Sequence, residues 1–365
     1  MKTEILIGWV LACVSLAQGV AGQESTPPVL LTSPLDYQVF QRATKTSGVI
    51  VVEGMVQAGT RVEARLDAQA WQTVAVDRPT RKFSAQLPAA AGGWHKLEVR
   101  AAGQAPVVVE HVGVGEVFIV AGQSNSGNHG SEKQQTATGK VASFDGAQWR
   151  LAKDPQRGAS GQGGSFMPAL GDALVAKYGV PVGVVPCGIG ATSVREWLPR
   201  GVTFPSPPTL VGRVEQLPNG AWASKGAAFT ALVARMKQLG PHGFRAVLWH
   251  QGESDVNQKD PARTLPGKLY REQLERVIRE SRREIGWDAL WFVAQVSYHG
   301  PGDEASPDIR AAQAALWQEG LALEGPDSDA LRGDLRAGVH FNGKGLQAHG
   351  KLWAEKVGAY LEQLR

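Results

Sequence analysis

Short apolar runs, each only a few residues long, recur between residues 28 and 114 of the chain. Polar residues, glycine and proline interrupt these runs, and no stretch of the region repeats its apolar side chains at helical spacing. Runs of this length at near-regular intervals are typical of an all-β sandwich. We therefore predict a small β-sandwich domain over residues 28–114, with strands at 48–56, 61–66, 71–76, 83–87 and 95–101.

The pattern changes after residue 115. Four continuous apolar runs alternate there with glycine-rich loops and with longer segments whose apolar side chains recur at helical spacing. Continuous runs are typical of parallel strands that are buried on both faces, and their alternation with helices predicts crossover connections. We predict strands at 116–121, 180–186, 245–249 and 290–296, and helices at 168–178, 227–239, 268–285 and 346–364.

The first 22 residues have the pattern of a secretory signal peptide. Lys2 precedes an apolar stretch over 5–17, and small residues at 20–22 precede an expected cleavage site near Gln23. The apolar stretch is too short for a membrane-spanning helix. We therefore expect an exported protein, periplasmic or extracellular, without a membrane segment once residues 1–22 are removed.

Composition and charge exclude several function classes. The net charge is only +4, and lysine and arginine are scattered among acidic residues. Nucleic-acid binding needs clustered basic side chains, so we expect no nucleic-acid partner. The sequence contains no paired-histidine or paired-cysteine metal motif, P-loop or dinucleotide fingerprint. We therefore expect no metal and no other cofactor.

Four short polar motifs stand where such a sheet would place a site. GQSN occupies residues 122–125, GATS 190–193, QGESD 251–255 and VHFN 339–342. Three of them follow predicted strands, and the carboxyl ends of parallel strands meet at one edge of a sheet. Ser124, on a tight turn, is suited to nucleophilic attack, although a serine there can also be a helix N-cap.

In this order the four motifs resemble those of the SGNH hydrolase superfamily. They are most similar to its sialate O-acetylesterase-like branch, close to carbohydrate esterase family six. The resemblance covers about residues 115–365 and implies a flavodoxin-like three-layer α/β domain with a parallel sheet. The β-sandwich that precedes it would be of the immunoglobulin or fibronectin type.

The resemblance also implies roles for individual residues. Ser124 would be the nucleophile that forms an acyl-enzyme, and His340 the base that takes its proton. The oxyanion hole would consist of the backbone N–H groups of Ser124 and Gly190 and the side-chain amide of Gln251. A histidine base predicts that activity falls as the pH drops below about 6 to 7. For His129, His250 and His299, which lie near the motifs, we expect structural or substrate-lining roles.

One position departs from the family pattern. Much of the family has an acid three residues before the histidine, where this chain has Ala337. The third member of a catalytic triad orients the imidazole and stabilises its charged form. Asp334 is our first candidate for that role. Glu253, Asp255 or a backbone carbonyl beside a Ser–His dyad are the alternatives.

Other side chains in or beside the motifs are candidates for substrate-binding or supporting roles. They are Gln123, Asn125, Glu253 and Arg195. Arg195 suits a carboxylate such as that of sialic acid, and the nearby Trp197 suits the C–H face of a sugar. A buried structural role is the alternative for both.

The sequence thus predicts a serine esterase that removes O-acetyl groups from carbohydrate, either sialic acid or an acetylated polysaccharide. Three other hypotheses remain at this point. The first is an esterase or lipase for non-sugar acyl groups. The second is a carbohydrate-binding protein that has lost turnover because of Ala337. The third is an adhesion protein in which the β-sandwich is the functional module and the hydrolase is incidental. The oligomeric state is left open.

Overall fold

The computed structural model describes residues 28–57, 60–256 and 261–364 of the chain. The predicted mixed α/β class is confirmed, and the predicted signal peptide over 1–22 lies outside the described residues. The α-helices are α1 (Met167–Tyr178), α2 (Ala227–Leu239), α3 (Gly267–Ile285), α4 (Pro307–Gln318) and α5 (Gly343–Gln363). The strands are β1 (Val29–Ser33), β2 (Val39–Gln41), β3 (Ser47–Val56), β4 (Val62–Leu66), β5 (Gln72–Val74), β6 (Val76–Asp77), β7 (Lys82–Ala90), β8 (Gly92–Ala101), β9 (Val107–Gly122), β10 (Val141–Phe144), β11 (Trp149–Leu151), β12 (Val182–Pro186), β13 (Thr203–Phe204), β14 (Val214–Gln216), β15 (Trp222–Ser224), β16 (Ala246–His250), β17 (Leu290–Gln295), β18 (Leu323–Asp327), β19 (Arg336–Ala337) and β20 (His340–Phe341).

Every described regular element before residue 107 is a β-strand. Strands β1, β3, β7 and β6 form an antiparallel sheet, and β4 pairs with β5 and β8. Burial alternates along β3, where Ile50, Val52 and Val56 face the interior and their neighbours face outward. This period of two is what a strand with one covered face requires. The inward side chains of these strands form one apolar cluster.

The long strand β9 connects this region to the rest of the protein. Its first half pairs with β8 and β2, and its second half pairs with β12 and β16. The predicted domain boundary between residues 114 and 115 therefore falls inside one continuous strand. Backbone hydrogen bonds on both sides of that point tie the two regions together.

Strands β12, β9, β16, β17 and β18 lie side by side in this order and run parallel. Strand β10 extends the sheet beyond β12, and β11 ends it in antiparallel orientation. Phe118 and Val120 pack on the face covered by α1 and α5, whereas Val117 and Ile119 pack on the face covered by α2, α3 and α4. Because both faces are covered, the strands read as continuous apolar runs in the sequence.

The helices agree with the predicted segments, with one addition. Helix α2 coincides with the predicted 227–239, whereas α4 was not predicted. Helix α5 begins three residues earlier than predicted, because the side chain of Asn342 accepts a hydrogen bond from the Gly345 N–H and caps it. None of the described helices is both long enough and apolar enough to cross a membrane.

A buried ion cluster reinforces the junction where β9 enters the parallel sheet. The Glu116 carboxylate is fully buried and accepts hydrogen bonds from Arg42 at 2.6 Å, Arg245 at 2.8 Å and Gln41 at 3.0 Å. Buried charges are tolerated only when they are paired and hydrogen-bonded in this way. These side chains join the end of β2, strand β9 and the residue before β16. The cluster lies at the end of the parallel strands opposite the four motifs.

Candidate active site

The four sequence motifs meet at one cleft beyond the carboxyl ends of β9, β12 and β16. The cleft has a volume of about 540 Å³. Ser124, Gly190, Glu253 and His340 each line it, one from each motif. The other lining residues are Gln123, His129, Ser160, Ile189, Ala191, Thr209, Leu210, Arg213, Ser254, His299 and Val339.

Ser124 lies on a tight turn that directly follows β9. Gly122 ends the strand with a φ of +128°, and a Cβ atom there would lie 2.0 Å from the His250 carbonyl oxygen, so only glycine fits. Ser124–Ser126 then form one turn of 3₁₀ helix. Within the described part of the chain, the Ser124 hydroxyl forms no hydrogen bond and the Ser124 N–H donates none to another element. Both groups are therefore free to meet a substrate.

The N–H group of Gly190, the second expected oxyanion donor, also lies at the cleft. It donates to the Ser160 hydroxyl at 2.6 Å, and that hydroxyl lies 3.1 Å from Nε2 of His129. A substrate oxygen must displace the Ser160 hydroxyl from the Gly190 N–H or share that donor with it. A Cβ atom at this position would lie 2.7 Å from Nε2 of His129, so a larger residue here would require the His129 ring to shift.

The side chain of Gln251 does not line the cleft, which corrects the expectation that it donates to the oxyanion. It is fully buried, and its amide nitrogen lies 2.7 Å from the Asp255 carboxylate and 3.0 Å from the Thr192 carbonyl. These acceptors engage both of its N–H bonds. Gln251 instead holds together the loops that carry Gly190 and Glu253.

Gln123 presents an amide at the place where Gln251 was expected. Its Oε1 atom accepts hydrogen bonds from the N–H groups of Gly252 at 3.3 Å and Ser254 at 3.1 Å, and lies 3.2 Å from the amide of Gln251. Its own amide nitrogen has no partner among the described residues, and the side chain lines the cleft. This geometry leaves an N–H₂ group of Gln123 available at the cleft wall.

His340 lies on a small hairpin in which β19 and β20 pair, so that Ala337 is opposite His340. The imidazole is half-buried, and its centroid lies 5.4 Å from that of His129. Burial, with smaller contributions from His129 and Arg336, lowers the pKa of His340 to about 4. The ring is therefore neutral, and able to accept a proton, at pH values well above 4.

Asp334, our first candidate for the third triad member, points to solvent. Its side chain is 83% exposed, and its ion-pair partner is Lys344 at 3.8 Å. No hydrogen bond among the described residues joins it to His340, and it does not line the cleft. The structure thus does not bring Asp334 to the imidazole.

Glu253 is the acid that the structure brings to the cleft. It is 2% exposed, and its Oε1 atom accepts a hydrogen bond from Asn125 at 2.9 Å, whereas Oε2 has no partner among the described residues. Asn125 also donates to the Val339 carbonyl at 3.1 Å, which connects Glu253 to the residue before His340. Burial raises the pKa of Glu253 to about 7. A buried carboxylate with one unused oxygen is suited to accept an imidazole N–H.

Asp255 and Arg195 lie behind the cleft and support its walls. Asp255 accepts hydrogen bonds from the Ser193 hydroxyl at 2.5 Å and the Val194 N–H at 3.0 Å. Arg195 is fully buried and donates to three backbone carbonyls, those of Ser206, Pro207 and Arg263. Arg195 therefore takes the structural alternative and not the expected contact with a sugar carboxylate. Trp197 is buried as well.

The remaining histidines differ in their access to the cleft. His250 is fully buried, bonds Ser328 at 3.0 Å and does not line the cleft, and burial lowers its pKa to about 3. His299 lines the cleft but lies at its exposed rim, 3.9 Å from Asp303. His129 lines the cleft with Nε2 engaged by Ser160. Among the described cleft histidines, His340 is the one whose ring forms neither a hydrogen bond nor an ion pair.

Ser160 and Arg213 are two of the cleft residues that lie outside the sequence motifs. Ser160 belongs to a glycine-rich loop, and Arg213 belongs to the loop between β13 and β14. Arg213 is the only lysine or arginine among the described lining residues. Its side chain is 37% exposed and donates to Glu196 at 3.3 Å. Neither residue carries a local sequence signal, since the fold alone brings their loops to the motifs.

Comparison with known proteins shows the family to which the chain belongs. A model of the family described as "Carbohydrate esterase, sialic acid-specific acetylesterase" matches residues 114–359. A search of curated proteins gave no match. The crystal structure of a carbohydrate acetylesterase from Xanthomonas citri shares the fold, with a TM-score of 0.56 and 20% identity over 89% of this chain and 74% of that one. A structure of an Arabidopsis thaliana protein aligns with a TM-score of 0.47 and 20% identity over 68% of this chain and 99% of that one. Because the family model spans well over half of its length, the chain belongs to the sialic acid-specific acetylesterase family of carbohydrate esterases.

Proposed function

We propose that Ser124, His340 and Glu253 carry out the removal of O-acetyl groups from carbohydrate that characterises this family. The single observation that supports the assignment is their meeting in one cleft, where Ser124 has a free hydroxyl. Glu253 is also the only acid among the described lining residues. A nucleophile, a base and a buried carboxylate are the three parts that acyl transfer needs.

The reaction proceeds in two displacements. The Ser124 hydroxyl oxygen attacks the acetyl carbonyl carbon while His340 accepts the hydroxyl proton, which gives a tetrahedral oxyanion. The bond to the sugar oxygen then breaks, and the imidazolium returns the proton to that oxygen, which leaves acetyl-Ser124. Water, deprotonated by His340, attacks the acetyl carbonyl in the same way and releases acetate and the free serine.

Three donors are available to the oxyanion. The N–H of Ser124 is free, and the N–H of Gly190 becomes available when a substrate oxygen displaces the Ser160 hydroxyl. The amide of Gln123 supplies the third, since its nitrogen has no other partner in the described part of the chain. Donors fixed in this way stabilise a charge that develops only in the transition state.

The choice of acyl group is tested with sugar esters of increasing acyl length. We expect acetate to be released fastest and the rate to fall as the acyl chain lengthens, because a longer chain has to fit beside Gly190 and Ser160, which bond each other and line the same cleft as Ser124. Release of each acid is measured directly, with an acetylated sugar as reference. A rate that rises with acyl length would favour the lipase hypothesis, and no release from any ester would favour a binding protein.

We further propose that the sugar carries a carboxylate close to the ester. Arg213 is the one cation of the described cleft lining, and a guanidinium pairs well with a carboxylate. Its neighbour Glu196 is fully buried, and burial raises the pKa of that carboxyl to about 7. Glu196 therefore compensates the charge of Arg213 only partly near neutral pH. An acidic sugar such as sialic acid fits this cleft better than a neutral one.

Replacing Arg213 with glutamine tests this substrate class. We expect KM for an O-acetylated sialic acid to rise about 10- to 100-fold, the effect of losing a hydrogen-bonded charge pair. KM for the methyl ester of the same sugar, which lacks the charge, should stay unchanged. Arg200→Gln is the control, since Arg200 is exposed and outside the cleft lining. Equal changes for the acid and its methyl ester would contradict the proposal.

We also propose a flavodoxin-like three-layer sheet domain, an N-terminal β-sandwich and export from the cytoplasm. Strands β12, β9, β16, β17 and β18, five of the parallel strands, have the order 2-1-3-4-5 when numbered among themselves along the chain, as in flavodoxin-like sheets. The strands before residue 107 support the β-sandwich, and the sequence of residues 1–22 supports export.

The test of export is N-terminal sequencing of protein recovered outside the cytoplasm, which should begin near Gln23. A chain that still begins at Met1 would contradict cleavage.

A further inference from the structure

The hairpin that carries His340 lacks a polar side chain beside the imidazole. Ala337 pairs with His340 in antiparallel register, and only Gly338 and Val339 separate them. Directly paired residues project from the same face of a hairpin, so an acid at position 337 would lie beside the ring. A methyl group cannot hold a ring by hydrogen bonding. Glu253, proposed to accept the imidazole N–H, lies on a different loop, so the placement of His340 relative to it also depends on the way the hairpin itself is fixed.

Arg336 fixes this hairpin from one side through its backbone. Its guanidinium donates hydrogen bonds to the carbonyls of Val339 at 2.8 Å, Ser328 at 2.7 Å and Leu331 at 2.7 Å. The carbonyl of Val339 belongs to the residue that immediately precedes His340. A planar group with several donors in a rigid fork is suited to hold three carbonyls at once.

The same guanidinium stacks on two aromatic rings. It lies 3.9 Å from the ring centroid of Phe341, its partner across the hairpin, and 4.3 Å from that of Tyr298. Stacking over an aromatic face strengthens as the cation leaves water. No carboxylate of the described residues bonds to Arg336, although Glu253 and Asp329 lie close enough to act on its charge. The group is therefore held by carbonyls and rings and not by an ion pair.

The Val339 carbonyl also accepts a hydrogen bond from Asn125, on the turn that carries Ser124. One peptide oxygen thus receives donors from two directions, Arg336 within the hairpin and Asn125 across the cleft. Because Val339 adjoins His340, a shift of this peptide moves the imidazole relative to Ser124. Small displacements of a base from its nucleophile cost rate steeply.

We propose that Arg336 is a positioning residue that orients His340 by clamping the Val339 carbonyl, in place of the missing acid at position 337. Arg336 does not touch the substrate, and its effect passes through the peptide that precedes the base. This proposal rests on the proposed role of His340.

The test compares Arg336→Met, Arg336→Lys and Arg332→Met, each as the full mature chain. Methionine keeps the apolar stem without donors, and lysine keeps the charge without the planar fork. Arg332 is the matched control, because it lies in the same segment, its side chain is 46% exposed, and among the described residues that side chain bonds only the Asp329 carbonyl and Glu304. We expect Arg336→Met to lower kcat by about 10- to 100-fold with KM unchanged, Arg336→Lys to be intermediate, and Arg332→Met to remain near wild type.

Two further measurements separate positioning from loss of folding. Circular dichroism and melting temperature give the folded fraction, to which kcat is normalised. Added guanidinium ion, below denaturing concentrations, should restore part of the activity of Arg336→Met and none to wild type or Arg332→Met. If Arg336→Met does not fold, the proposal is tested by the normalised kcat of Arg336→Lys. A value several-fold or more below that of the wild type supports the role of Arg336 as a clamp.

A normalised kcat of wild-type size in the folded Arg336 variants would overturn the proposal, as would an equal loss in Arg332→Met. His340→Ala is measured in parallel to keep the two proposals apart. If His340→Ala retains activity, the base assignment fails and the clamp fails with it. If His340→Ala is inactive while Arg336→Met is fully active, only the clamp is wrong.

Discussion

Replacing Ser124 with alanine should reduce acetate release by at least about 10⁴-fold, because no acyl-enzyme can form without the hydroxyl. The variant should melt at the wild-type temperature, since the Ser124 hydroxyl has no hydrogen bond to lose within the described part of the chain. Initial rates of acetate release from an O-acetylated sugar, with melting temperatures for both proteins, measure the two effects. Mass spectrometry of the quenched wild-type enzyme should locate the acetyl group on Ser124.

Ser126→Ala is the matched control on the same turn. The Ser126 hydroxyl donates to the Gln123 carbonyl at 2.7 Å and does not line the cleft. Its loss should cost about 1 kcal/mol of stability and leave kcat nearly unchanged. Wild-type acetate release by Ser124→Ala would contradict the nucleophile assignment. Equal losses in both variants would point to a distorted turn and not to chemistry.

Replacing Glu253 with glutamine should lower kcat on the order of 10⁴-fold, the size of effect seen when the carboxylate of a triad is replaced by an amide. Glutamine keeps the shape of the side chain and an oxygen for the Asn125 amide. It presents an N–H₂ group in place of Oε2 and cannot accept the imidazole N–H. Steady-state kinetics should show this loss in kcat with little change in KM.

The pH profile should move in the same variant. In the wild type Glu253 must be ionised to support His340, and burial raises the pKa of Glu253 to about 7, so activity should fall as the pH drops through about 7. Arg336 opposes this rise and Asp329 adds to it. With glutamine at this position, His340 is the remaining titrating group. Burial lowers the pKa of His340 to about 4. We therefore expect the residual activity of Glu253→Gln to persist down to about pH 4.

Asp334→Asn is the matched control for the acid. Asp334 is exposed and paired with Lys344, so its change to asparagine should leave kcat and the pH profile unchanged. A large loss in Asp334→Asn with wild-type activity in Glu253→Gln would reverse the assignment. Wild-type kinetics in both variants would favour a Ser–His dyad that is oriented by backbone alone.

The main strands and helices of the sheet region were predictable because their periodicity is local. The apolar runs at 116–121 and 245–249 became parts of β9 and β16, and the predicted helix at 227–239 is α2. Strand β9 is much longer than the predicted run, since its first half has one exposed face and only its second half is buried throughout. Helix α4 escaped prediction because only three apolar side chains, Ile309, Ala312 and Leu316, mark its buried face.

By itself the sequence determined the mixed α/β class and the four motifs that reach the cleft, since apolar periodicity and turn residues act over a few positions. Only the tertiary structure decided which polar side chains face the cleft. Glu253 faces it while Asp334 points to solvent, and Arg213 faces it while Arg195 is buried. These outcomes depend on partners far along the chain, such as Asn125 and Glu253, which bond across 128 positions. No local pattern encodes such contacts, because the packing of the whole sheet sets the direction of each side chain.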